Sequence, residues 1–424
     1  MGLLVKPVVM RVGAMEKFPD RGVPRINITL DGVSLEEINA GSKETKYEGN
    51  KLDLYEGGEV REFEGVQVKG RGNATWMQEK KPYQIKFANK VDLFGLGKAR
   101  KWVLLANALD MSNIRTDLAV RLEEMLGMKY RFEGEFVELY MDDKYEGLYY
   151  LTHVVEIGKV AVDLKEPLGV LVELDNLYWG VEKHYESGKG DHMVVKDVVN
   201  EGEEDKAMKK FMRDYNEFER AVVAKNYARV EELVDVESFV QYYLLSEFLV
   251  NPDAYWTSFY MYKDGMNDKI HAGPGWDFDL AFANRKWGNW MGEDFYLPTR
   301  TMVRRDEILS EEVYENMGLG DAVDWYGMSQ NLSNIIFGLM EIPEFREEVA
   351  RVYREKLLGR TEELISILEN EVERVRWVID VDNEKWQKGD FVEEVKKMVE
   401  WIKERGEFFE REYSEGEGVF TRSI

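Results

Sequence analysis

Two acidic clusters close the ends of one stretch, residues 251–283, reading NPDAYWTSFYMYKDGMNDKIHAGPGWDFDLAFA. Asp253 lies in Asn251-Pro252-Asp253, and Asp277 and Asp279 lie in Trp276-Asp277-Phe278-Asp279. Between them, Ser258 to Lys263 and Lys269 to Ala272 flank Asp264-Gly265-Met266-Asn267-Asp268, which predicts a β-hairpin with a longer loop. A hairpin folds back, so it can gather these carboxylates at one end of a ribbon. Carboxylates gathered this way repel one another unless a cation sits between them or one holds a proton. The competing reading is solvated turn aspartates. On an extended segment, Trp276 and Phe278 would face one way and Asp277 and Asp279 the other, turning both carboxylates toward a cleft. Pro252 stiffens the chain just before Asp253.

A second constellation lies upstream. Glu64 to Lys69 predicts a strand, Gly70-Arg71-Gly72-Asn73-Ala74-Thr75-Trp76 a turn, and Tyr83 to Phe87 the return strand, with Lys86 between Ile85 and Phe87. Gly70 and Gly72 would let backbone approach a ligand and aim N–H groups into the turn. Arg71 adds a cation, Asn73 an amide and Lys86 a flanked ammonium, the set a phosphate cradle needs. Ser112 is a candidate cap for a helix to about Leu126, stopped by Gly127 and burying Ile114, Leu118, Leu122 and Met125. Arg115 falls in its first turn, where the macrodipole disfavours a cation. It is either offset by a carboxylate, held there for an anion, or simply exposed.

The elements that position these residues follow from the rest of the chain. Residues 20–180 predict a β-rich N-terminal lobe, with strands at Arg25 to Leu30, Lys51 to Tyr55, Phe136 to Tyr140, Gly147 to Val155 and Gly169 to Leu174, and Lys101 to Asn107 as a buried strand or a helix start. Residues 181–206 are charged and predict a loop or insertion. Residues 206–424 predict a helical C-terminal lobe, opening with Asp205 to Ala224, Ala228 to Val234 and Val236 to Leu249, the last capped by Asp235. An aromatic loop (Trp287, Trp290, Phe295, Tyr296) follows the acidic hairpin, and 305–415 reads as helical. The fold class is α+β, with the acidic stretch at the junction of the lobes.

Composition narrows the function. The 424 residues are 44% hydrophobic and 12% aromatic, enough for a sizeable core. Net charge is −25 (57 basic minus 82 acidic). That argues against a nucleic-acid surface and disfavours an anionic membrane. With no cysteine, disulfides, thiolate metal sites and cysteine nucleophiles are excluded. His153, His184, His192 and His271 show no ligand spacing. No run has the length of a membrane span. Residues 3–14 lack a cleavage-site pattern, so no intact signal peptide is expected, and both a cytoplasmic and an exported origin stay open.

The runs Gly70 to Trp76, Lys80-Lys81-Pro82-Tyr83-Gln84-Ile85-Lys86-Phe87, Trp102 to Asn107, Ser112-Asn113-Ile114-Arg115, Val137-Glu138-Leu139-Tyr140 with Glu146-Gly147, and Trp276 to Phe282 resemble, in order, the spore coat protein H (CotH) kinase family. They span about residues 25–290. The resemblance implies a divergent, two-lobed protein-kinase-like fold that uses ATP and Mg²⁺ (or Mn²⁺ or Ca²⁺) to phosphorylate Ser/Thr of a protein. It likens Lys86 to the lysine that neutralises ATP phosphates, and the Gly70–Thr75 turn to the glycine-rich loop. Asp253 is similar to the acid that orients the acceptor hydroxyl, and Asp277 to the metal-binding aspartate. Ser258 stands where ordinary protein kinases have asparagine, which makes Asp279 the candidate for a second metal position. Glu123 and Glu124 are positional candidates for the lysine's partner glutamate. A basic protein substrate and a monomeric state are expected. The rivals are a non-catalytic CotH-like binding module and a glycoside hydrolase using Asp253 and Asp277, which would leave Lys86 and the Gly70–Thr75 turn without a role.

Overall fold

Alternation of apolar and polar residues builds most of the N-terminal half. In Tyr83 to Phe87 the burial alternates, with Tyr83, Ile85 and Phe87 inside and Gln84 and Lys86 half-buried. This computed structural model describes residues 10–12, 17–176, 183–251, 254–255, 257–282, 284, 335–387 and 389–413. It is a mixed α+β structure, β-rich in its N-terminal half and helical in its C-terminal half. Two compact units are assembled from interleaved segments. The first comprises 1–117, 132–154 and 367–395, and the second 118–131, 155–366 and 396–424.

The first unit holds β1 (Met10–Val12), β2 (Arg25–Thr29), the short α1 (Leu35–Ala40), β3 (Tyr47–Glu56), β4 (Glu59–Gly70), β5 (Tyr83–Asp92), β6 (Lys98–Leu105), β7 (Gly134–Met141) and β8 (Lys144–His153). All these strands but β1 form a ring in the order β4-β3-β2-β7-β8-β6-β5, closed by β5 returning to β4. Ladder pairing is antiparallel except between β2 and β7. The β7–β8 turn has Asp142 and Asp143 at φ 48° and 65°, the twist a two-residue hairpin requires. The barrel is filled by Ile26, Leu54, Val68, Ile85, Trp102 and Leu139, each essentially inaccessible. A buried ion pair braces it. Lys80 Nζ lies 2.7 Å from Asp382 Oδ1 and donates to Leu148 O at 2.6 Å, while Leu148 N donates to Asp382 at 2.8 Å.

The helix α2 (Arg115–Leu126) is stopped at Gly127 (φ 76°) and buries Ile114, Leu118, Leu122 and Met125 as expected. Its start is organised differently from the expectation. Asp110 Oδ2 accepts the Arg115 backbone N–H at 3.0 Å, and Ser112 Oγ accepts the backbone N–H of Ile114.

The second unit holds one antiparallel sheet of β9 (Val170–Leu174), β10 (Tyr185–Glu186), β11 (His192–Val198), β12 (Phe259–Lys263) and β13 (His271–Ala272), in the order β10-β11-β9-β12-β13. Strands β10 and β11 fall where a loop was expected. Their own signal is short and charged, and pairing of β11 with β9 supplies what local propensity does not. Helix α3 (Glu204–Val223) buries Met208, Phe211, Met212, Tyr215, Phe218 and Val222, the stripe its 3.6-residue period dictates. After α4 (Tyr227–Leu233), α5 (Val236–Leu249) is capped by Asp235, which accepts from Ser238 N at 2.9 Å. It is buried on all sides from Ser238 to Leu249, as its apolar sequence requires. Later come α6 (Ile335–Met340), α7 (Pro343–Lys356), α8 (Thr361–Trp386) and α9 (Phe391–Tyr413). Three of the five boundaries between units fall inside α2, α8 and α9.

Candidate active site

Lys86, Arg71, Gly72, Asn73 and Arg115 belong to the first unit, and Asp277 and Asp279 to the second. Asp253 and the aromatic loop at Trp287, Trp290, Phe295 and Tyr296 lie outside the described residues.

In the first unit, β5 holds Lys86 on the outer face of the barrel. Its cross-strand neighbours are Gln67 of β4 and Lys101 of β6. Two lysines directly opposite on one face repel. Within this unit, among the described residues, Lys86 Nζ has no hydrogen-bond or ion-pair partner. The Gly70–Thr75 turn leads into a single 3₁₀ turn at Ala74–Met77. Gly72 has φ 82°, and a Cβ there would fall 2.1 Å from Thr75 Oγ1. A Cβ on Gly70 would fall 2.5 Å from the Trp76 ring. Close packing of Trp76 and Thr75 thus accounts for both glycines, whatever else approaches the turn. Lys43 was not foreseen here. Its ammonium donates to Gly72 O at 2.6 Å and to Asn73 Oδ1, adding a cation from 29 residues upstream that no local pattern announces.

Arg115 resolves between its alternatives. The side chain is fully buried, and its guanidinium donates to Asp110 and Glu394 and, at 3.3 Å, to Ser112 Oγ. The offsetting carboxylates are present, so the expectation of an exposed arginine is corrected, and the anion-holding one loses its motive.

In the second unit, α5 ends on Val250 in the left-handed region (φ 47°). The fully buried Arg405 donates from Nε to Glu247 O at 2.9 Å, fixing the last turn of α5 just before Asn251. Burial pulls the Arg405 guanidinium below its usual pKa, while Glu247 opposes that shift. The hairpin forms as expected, pairing Met261 with Ala272 and Tyr262 with His271. It brings its two ends together. Asn251 Nδ2 donates to Asp277 O at 3.3 Å, and Ser258 Oγ donates to Asp277 Oδ2 at 3.3 Å. The expected alternation of Asp277 and Asp279 fails, because Asp277 takes φ 64° and bends the segment out of an extended path. The Asp277 side is exposed, whereas Asp279 is buried beside Phe278. Asp279 O accepts from Asn284 Nδ2 at 2.7 Å. Val250, Tyr255, Ser258, Asp277 and Phe282 are all non-glycine residues at positive φ. Each costs of order 1–3 kcal/mol in local strain, and such strain clusters where geometry serves chemistry.

The sequence suggests Glu123 only as a partner for Lys86. Its side chain is inaccessible, and Oε1 accepts the Gly275 N–H at 2.7 Å. Burial pushes this carboxyl well above the usual carboxylate range, against the opposing pull of Gly275 N–H and Arg131. Glu124 is exposed, with Arg131 at 3.7 Å and Arg121 at 3.9 Å.

Among the described residues, no three His, Asp or Glu are grouped as a metal site, and no helix is long and apolar enough to cross a membrane. A family model described as CotH kinase protein matches residues 66–409. No curated protein matches the sequence. Among solved structures, the chain is similar to the proinflammatory kinase CtkA of Helicobacter pylori. The identity is 12% over 72% of this chain and 94% of that one, with a TM-score of 0.24, too low to carry an argument.

Proposed function

The chain belongs to the CotH kinase family, and from that premise we propose that it transfers the γ-phosphoryl group of ATP to Ser/Thr of a protein substrate. The observation that carries this reading is the closure of the 251–279 hairpin, where the Asp277 backbone and carboxylate meet Asn251 and Ser258. That closure holds the exposed Asp277 carboxylate against Ser258 and its backbone against Asn251.

The donor set suits a magnesium ion. Mg²⁺ takes hard oxygen ligands and is commonly held by one or two carboxylates plus the phosphates of its substrate, so a three-acid cage is not required. Asp277 is the principal ligand in this reading, and Asp279 would serve a second metal only by turning out of its buried position. When bound, the ion would neutralise charge on the phosphates. Lys86 is the phosphate cation, since its ammonium is uncommitted within its unit. Arg71, Gly72 and Asn73 would contact the phosphates in the same reading, with Lys43 holding the turn. Asp253 orients the acceptor hydroxyl. Arg115, tied to Asp110 and Glu394, enters only as the residue that fixes the start of α2. A two-lobed kinase-like arrangement and a basic substrate, favoured by the net charge of −25, belong to the same proposal.

The test is calorimetric titration of Mg²⁺·ATP into wild type and Asp277→Ala. Loss of the bridging carboxylate should weaken metal-dependent binding by about a hundredfold or more. Equal affinities would remove Asp277 from the site.

A further inference from the structure

We infer that Glu123 is the positioning residue of the 275–279 segment: its buried carboxyl fixes Gly275 and through it the orientation of Asp277. The inference rests on the reading of Asp277 as a metal ligand. Between Pro274, which has no N–H, and the turn beginning at Asp279, the backbone lies in no strand or helix. The Gly275 N–H is one of its anchors, held at 2.7 Å by Glu123 Oε1 across 152 residues of sequence. Gly275 is confined on other sides as well. A Cβ there would fall 2.6 Å from Glu123 Oε1, 2.6 Å from Phe278 Cζ and 3.0 Å from Leu245 Cδ2. Two residues on, Asp277 takes its left-handed φ and meets Ser258 Oγ. A shift at Gly275 therefore carries directly into the Asp277 carboxylate.

A merely structural role explains the carboxyl poorly. Glu123 is fully buried, and its second oxygen, Oε2, has no hydrogen-bond partner among the described residues. A buried polar atom left unsatisfied destabilises the fold, and an apolar side chain of the same length would avoid that cost. What an apolar side chain cannot do is accept the Gly275 N–H. The arrangement gives up stability and keeps geometry, as expected of a group that positions another.

Three variants separate the roles. Glu123→Gln keeps a carbonyl acceptor for Gly275. Glu123→Leu fills the space and removes the acceptor. Gly275→Ala drives a Cβ into the same contact from the other side. Backbone amide exchange across 273–279 is read by mass spectrometry on the full chain. Mn²⁺ affinity in the presence of ATP and the rate of phosphate incorporation are read in parallel. Glu123→Gln should match wild type in exchange and stay within about threefold in the other readouts. Glu123→Leu should speed exchange at 275–277 at least tenfold, weaken Mn²⁺ about tenfold and slow transfer about a hundredfold, the size of effect a misplacement of about 1 Å produces. Its KM for ATP at saturating Mn²⁺ should stay within about threefold. Gly275→Ala should repeat that pattern, and decides the matter if Glu123→Leu fails to fold. Wild-type exchange and Mn²⁺ affinity in Glu123→Leu would overturn the inference, as would Glu123→Gln proving as defective as Glu123→Leu. If wild type binds no Mn²⁺·ATP, the phosphotransfer reading falls, while the exchange measurement still decides whether Glu123 holds Gly275.

Discussion

Strand β5 and the segment 250–282 present charge in opposite ways. From Tyr83 to Phe87 in β5 burial alternates, Ile85 and Phe87 point inward, and Lys86 stands outward simply because it is out of phase with them in a period of two. In 250–282 the chain breaks local rules at Val250, Tyr255, Ser258, Asp277 and Phe282, and side chains such as Glu123 and Arg405 hold the result in place. A cation can be placed by a ladder that would form whether or not it bound anything. The acidic end needs a bent path that only long-range contacts maintain. The two regions should therefore respond differently to mutation.

The largest expected effect is on barrel stability. Lys80→Met leaves Asp382 buried without its cation and should cost roughly 3–5 kcal/mol in chemical denaturation. A loss under about 1 kcal/mol would mean that the barrel does not rest on this pair. Lys86→Met should do the reverse. Within its unit the ammonium has no partner to lose, so stability should hold within about 0.5 kcal/mol. ATP turnover should nonetheless fall about ten- to a thousandfold. A melted Lys86→Met, or one with full turnover, would erase the contrast between scaffold and chemistry.

A smaller effect sharpens the comparison within the second unit, at the turn between β10 and β11. Burial pushes the Asp191 carboxyl up to about 7, with the Glu219 charge adding to it. The folded form thus binds this proton more tightly than an unfolded aspartate at about 3.9. The resulting stability is fully present below that value and is lost as pH rises through about 7. Asp191→Asn should remove roughly 1–3 kcal/mol of the pH dependence between about 4 and 7. Parallel stability–pH curves for mutant and wild type would show that Asp191 ionises normally in the fold.

How much of this was legible in the sequence follows the same division. The hairpins, the Asp235 cap and the apolar stripe of α3 follow from period and capping chemistry, and all are present. The closed ring was not legible, because closure depends on β4 meeting β5 and on a parallel β2–β7 pairing that no local pattern announces. Strands β10 and β11 were masked by their charged surroundings. The orientation of Asp277 and Asp279 departs from the expected alternation because alternation presumes extended backbone, and φ at Asp277 is positive. The Glu123–Gly275 bond joins distant segments, and its only sequence trace is an acid on an otherwise buried helix face.

Phosphate transfer itself tests the account most directly. Wild type and Asp253→Asn are incubated with ATP and Mg²⁺ or Mn²⁺, alone and with a basic Ser-rich protein, and phosphosites are mapped by mass spectrometry. The account predicts phosphoserine or phosphothreonine with wild type. Asp253→Asn should lose transfer at least a hundredfold yet keep its affinity for nucleotide, since Asp277 and Lys86 remain. Equal site occupancy in both proteins would remove Asp253 from the chemistry, and bound nucleotide without phosphate on any protein would contradict the kinase function.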